Sequence, residues 1–76
     1  MNNREESHRQ LVNLCENIKA LREQEGLSVE ELAEQTGVPL ATLVRLERVS
    51  LSRVFSLRHL FALADHFQVR PCELFL

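Results

Sequence analysis

The sequence predicts a compact, all-α domain of five helices. Apolar residues recur at spacings of three and four in successive stretches, and capping residues and glycines punctuate the ends of those stretches. Trp and Tyr are absent and there are only two Gly and two Pro in 76 residues, a mixture suited to packed helices rather than a sheet with many tight turns. A chain this short forms one core and buries only roughly 60% of its unfolded surface, so its stability is expected to be marginal and a second subunit would add to it. There is no internal repeat, low-complexity tract or break in composition.

Residues 1–7 are expected to form a flexible N-terminal tail, leaving 8–76 as the domain. Leu11, Leu14, Ile18 and Leu21 mark an amphipathic first helix over 8–24, closed by Gly26. The second helix begins at Ser28, where Glu31 three residues on completes a capping box and Leu27 can staple onto Leu32. Thr36-Gly37 ends it after about eight residues. Pro39 is acceptable in the first turn of a third helix that turns Leu43 and Leu46 inward and runs to Arg48. Residues 49–55 alternate like a strand but have no partner strand, so they are assigned to a loop. Ser56 caps a fourth helix with a stripe of Leu57, Leu60, Phe61, Ala64 and Phe67, and Pro71 opens a last short turn to Phe75.

The formal net charge is −2, but it is unevenly distributed. Residues 1–38 carry four cations against eight carboxylates, a balance of −4. Residues 39–58 carry Arg45, Arg48, Arg53 and Arg58 against Glu47 alone, a balance of +3. Such a localised positive segment is an electrostatic footprint for a polyanion, although an uneven surface charge produces the same count. No apolar run suffices to cross a bilayer and Met1–Gln10 lacks the apolar stretch of a signal peptide, so the expectation is a soluble, cytoplasmic protein. Cys15 and Cys72 are read as reduced thiols. His59 and His66 lie seven apart, too far to share an ion, and His8 has no companion, so no metal or cofactor is expected. No nucleophile motif or Gly-rich phosphate loop is present, and nothing argues for an enzyme.

The stretch LREQEGLSVEELAEQTGVPLATLVRLER resembles the helix-turn-helix core of the phage-repressor (Cro-type) family, and FSLRHLFALADHFQVRPCELF is similar to that family's fourth and fifth helices. The likeness runs over roughly residues 11–75. It implies a five-helix, lambda-repressor-like fold with the helix-turn-helix at helices 2 and 3, and a regulator of transcription that binds double-stranded DNA. Ala33 is small enough to let those two helices cross closely, and Gly37 frees the backbone for the turn between them. The family's Arg–Glu pair falls on Arg22 and Glu47, expected to form a structural ion pair. The DNA face it implies comprises Ser28 and Val29 at the start of the second helix, Leu40, Ala41, Thr42, Val44, Arg45 and Arg48 on the third, and Arg53 beyond. Arg45 is the candidate for bidentate contact with guanine, Arg48 and Arg53 for phosphates, and the amides near Ser28 for a further phosphate.

The chain departs from the family pattern in several places. Val29, Leu40, Ala41 and Val44 are apolar where polar residues are usual, and Leu40 and Val44 point outward. They can meet thymine methyl groups, form a docking surface for a protein partner together with loop 49–55, or lie partly covered by the tail or that loop. Val49 and Phe55 stand in place of a Gly and a Pro, and the loop is about two residues longer. Pro39 replaces a Ser that often caps the third helix, a loss of roughly 1 kcal/mol. The apolar ending Leu74, Phe75 and Leu76 suits a homodimer interface, and a dimer implies a palindromic operator with half-sites about one helical turn apart.

Overall fold

The computed structural model describes residues 3–48 and 56–76. Among the described residues there are four α-helices, α1 (Asn3–Gln24), α2 (Val29–Thr36), α3 (Leu40–Glu47) and α4 (Leu57–Phe67), one 3-10 helix (Pro71–Phe75), and no strand. The expected fifth helix is therefore a 3-10 turn. Its backbone bonds are the tighter kind, from Glu73 N–H to the Arg70 carbonyl at 2.9 Å and from Leu76 N–H to the Glu73 carbonyl at 3.2 Å. α1 starts at Asn3 rather than 8, so part of the segment assigned to a tail is helical; no Gly or Pro interrupts it. The loop assigned to 49–55 lies outside the described residues.

Each α-helix contributes its apolar stripe to a single core. Leu14, Cys15 and Ile18 come from α1, Leu32 from α2, Leu43 and Leu46 from α3, and Leu60, Leu63, Ala64 and Phe67 from α4, with Val38 and Leu74 closing the ends. α1 packs on α3 and on the 3-10 helix, and α2 lies between α3 and α4. Burial of Cys15 pushes its thiol above the ordinary value, which keeps it protonated and unreactive. Both cysteines are free thiols, Cys72 being exposed. The stripe expected on α4 needs one correction. Leu63 is fully buried, whereas Leu57 and Phe61 are exposed, because the helix presents the 60–63–64–67 side to the core and turns the 57–61 ridge away.

The turns are closed by backbone geometry. Gly26 takes φ +70° and Leu27 N–H reaches back to the Arg22 carbonyl at 3.1 Å, closing α1. Gly37 takes φ +78° while its N–H bonds the Ala33 carbonyl at 2.9 Å. Thr36 adds a side-chain splint, its hydroxyl donating to the Leu32 carbonyl at 2.7 Å and accepting from Val38 N–H at 3.2 Å. The last residues are held on α1 by two carboxamides four apart. Asn13 Nδ2 donates to the Phe75 carbonyl at 3.1 Å and Asn17 Nδ2 to the Leu74 carbonyl at 2.8 Å.

A Cβ built at Gly37 meets nothing within 4 Å, so glycine is required there by the backbone alone. Gly37→Ala should therefore cost about 1 kcal/mol of left-handed strain, read as a lower urea midpoint at unchanged slope. The capping box on α2 gives a second expectation. Glu31 N–H donates to Ser28 Oγ at 3.0 Å and Ser28 N–H donates to Glu31 Oε1 at 2.9 Å. The Ser28 N–H that donates to it, and secondarily the Ser28 hydroxyl, hold the Glu31 carboxyl below its ordinary value. A depressed folded-state pKa contributes stability above the unfolded value, about 4.3, and loses it as pH falls through the lower folded value. Glu31→Gln should thus show a shallower loss of melting temperature on acidification through that window than the native chain.

Candidate nucleic-acid interface

α3 is eight residues long, and Leu43 and Leu46 hold it to the core. That anchoring decides which side chains face outward. Leu40, 42% exposed, Ala41, Arg45 and Arg48 are exposed, while Thr42 and Val44 are half-buried at the edge. The N-terminal half of this face is apolar and its C-terminal half cationic. Pro39 stands at the N-cap without a side-chain hydrogen bond, as its residue type dictates, and its carbonyl accepts from Thr42 N–H at 3.0 Å and Leu43 N–H at 3.2 Å.

The far end of α3 is tied down by charge. Arg22 Nε donates to Glu47 Oε2 at 2.6 Å and Arg22 Nη2 to Glu47 Oε1 at 2.9 Å, a bidentate pair with each side chain only 13% exposed. The third guanidinium nitrogen, Nη1, donates to the Leu27 carbonyl at 2.6 Å. One side chain thereby joins the end of α1, the link into α2 and the end of α3. The Glu47 hydrogen bond holds the guanidinium above its already high ordinary value. Glu47 sits at the helix C-terminus, where a carboxylate opposes the helix dipole, so Arg22 offsets a placement that would otherwise be unfavourable.

The other residues assigned to the face by sequence fall elsewhere. Ser28 has both its N–H and its hydroxyl engaged with Glu31, and Glu30 and Glu31 place two carboxylates in the same first turn. A phosphate at the start of α2 would lie beside these two carboxylates. Val29 is half-buried and packs against the core. Arg53 lies outside the described residues. Leu74, assigned to a dimer interface, is 1% exposed and belongs to the monomer core; Phe75 packs partly against that core, and Leu76 is 89% exposed. Leu74 is consumed inside the subunit because Asn13 and Asn17 draw the chain end onto α1. Those two carboxamides were missed in the sequence, although their spacing of four beside the apolar stripe is a signal for them.

A family model described as helix-turn-helix matches residues 18–74, three quarters of the chain. The chain belongs to the phage-repressor (Cro-type) helix-turn-helix family. Members of this family are DNA-binding regulators and typically not enzymes. Searches of curated proteins and of solved structures give no match. Among the described residues of this helix-turn-helix chain, no helix is long and apolar enough to cross a membrane. His66 Nε2 lies 3.0 Å from Glu25 Oε1, joining the end of α4 to the turn after α1.

Removing one member of the Arg22–Glu47 pair should be expensive. Glu47→Ala is expected to cost about 3 kcal/mol, since it leaves a largely buried guanidinium without its carboxylate. Arg22→Lys should lose most of the same stability, because a single ammonium cannot bridge both carboxylate oxygens and the Leu27 carbonyl. Thermal unfolding followed by circular dichroism measures both.

Proposed function

We propose that this chain is a sequence-specific transcriptional regulator that binds double-stranded DNA as a homodimer on a palindromic operator. Its helix-turn-helix is α2, the Gly37 turn and α3. α3 enters the major groove, Arg45 pairs with a base edge, Arg48 meets phosphate, and Leu40, Ala41 and Val44 lie against apolar base groups such as thymine methyls. The observation that supports this reading best is the outward side of α3, where exposed Leu40 and Ala41 are followed by exposed Arg45 and Arg48 on a helix anchored by Leu43 and Leu46. The acidic balance of residues 1–38 against the positive balance of 39–58 favours approach to a polyanion by the α3 side.

The exposure of Leu40 favours a second reading, in which the same face receives a protein partner. Selection of random duplex DNA by the purified chain, followed by a salt titration of the enriched sequence, separates the two. The expected result is a palindromic motif whose affinity falls steeply with salt. Absence of enrichment even at low salt would overturn the DNA reading in favour of the partner. On the selected operator, Arg45→Ala should lose about 1–3 kcal/mol of affinity and relax preference at a single base position. Unchanged affinity and unchanged preference would remove Arg45 from base readout.

A further inference from the structure

The geometry points to the outer face of α4 as the surface through which two copies of this chain pair. This rests on the homodimer in the function proposed above and assigns it a location other than the C-terminal residues, of which Leu74 is buried in the subunit. Leu57 is 66% exposed and Phe61 55% exposed, and they lie one turn apart on the same ridge. Asp65 continues that ridge, with Arg58 and Gln68 beside it, all exposed. At 3.6 residues per turn these five positions fall within an arc of about 100°, turned away from the core-facing Leu60, Leu63, Ala64 and Phe67. Among the described residues the other large exposed apolar side chains are Leu40, on the α3 face, and Leu76, at the end of the chain.

The charge order on this ridge identifies the occupant. Phe61 lies near the midpoint of Arg58 and Asp65, which stand about 5 Å to either side of that midpoint along the helix axis. Antiparallel pairing of two α4 helices about a two-fold axis there sets Arg58 opposite the partner's Asp65 and Asp65 opposite the partner's Arg58. Phe61 then meets the partner's Phe61, a ring pair at the centre flanked by two opposite-charge pairs. A parallel, in-register pairing would instead oppose Arg58 to the partner's Arg58. The face is thus complementary to itself in one orientation, as an isologous interface requires. It takes up none of the α3 side chains assigned to DNA. One ridge of an 11-residue helix, about 17 Å long, offers less than the roughly 1,200 Å² at which stable specific interfaces begin, so pairing is weak without DNA and concentration-dependent.

Sedimentation of the full chain without DNA tests this directly. A monomer–dimer equilibrium is expected, and Phe61→Asp, at an exposed position where the fold tolerates it, should weaken association roughly thirtyfold or more. Arg58→Asp and Asp65→Arg should each weaken pairing, and the two together should restore it by exchanging the charges. A native chain that stays monomeric at every concentration would overturn the inference. So would association lost in Leu76→Asp but kept in Phe61→Asp, or a charge exchange that fails to restore it. The DNA reading is scored separately, on a single half-site: Phe61→Asp should bind it as the native chain does. A dimer with these properties that selects no DNA would overturn the DNA reading and leave the α4 interface standing.

Discussion

Glu47 occupies the last turn of α3, where a carboxylate faces the negative end of the helix dipole, and the arrangement holds because Arg22 reaches it with two nitrogens. The same guanidinium bonds the Leu27 carbonyl just before α2. Three segments are thereby held in one relative position. The orientation of α3 depends on this tie at one end and on Leu43 and Leu46 along its length. Because the start of α3 has no side-chain cap, the anchoring is uneven: firm at the end carrying Glu47, left to packing at the end carrying Leu40. A helix held in this way presents a defined outward face without needing a long hydrophobic interface beneath it.

A domain of this size has few apolar side chains to distribute, and the distribution explains what remains outside. Leu74 is drawn into the core because Asn13 and Asn17 satisfy the carbonyls of the chain end on the flank of α1. That docking packs the 3-10 helix against both α1 and α4. The ridge of Leu57 and Phe61 on α4 stays exposed. Exposed patches of this kind on a small monomer mark contact surfaces, and among the described residues those on α3 and α4 carry different charge patterns. The α3 patch is bordered by cations and suits a polyanion. The α4 patch carries one charge of each sign and suits its own copy.

Composition alone would have argued against a nucleic-acid partner, since the net charge is −2. What matters at the distances involved is the local field, because exposed charges more than about 8–10 Å apart are largely screened at ordinary salt. The unbalanced carboxylates lie at Glu25, after α1, and along α2 at Glu30, Glu31 and Glu34, and Arg45 and Arg48 share the α3 face. Near Ser28, where the sequence expects a phosphate contact, the structure places an acidic first turn and a capping box that uses the Ser28 amide.

Much of the architecture was legible because it is set by neighbours in the chain. Ser28 and Glu31 announce the start of α2, Gly26 and Gly37 supply left-handed closures, and Leu14, Ile18, Leu43 and Leu46 fall at helical spacing. Each depends on residues within a turn or two, so the sequence by itself determined where α2, α3 and α4 lie and the family they belong to, but not the start of α1 or the 3-10 form of the last turn. The tertiary structure alone decided which stripe of α4 is buried. Leu57 and Phe61 are as apolar as Leu60 and Leu63, and helical periodicity does not distinguish two adjacent ridges when both are hydrophobic. The fate of Leu74 was decided in the same way, by carboxamides on α1 some sixty positions earlier. Burial is a property of what packs opposite, and no local pattern in the chain carries that information.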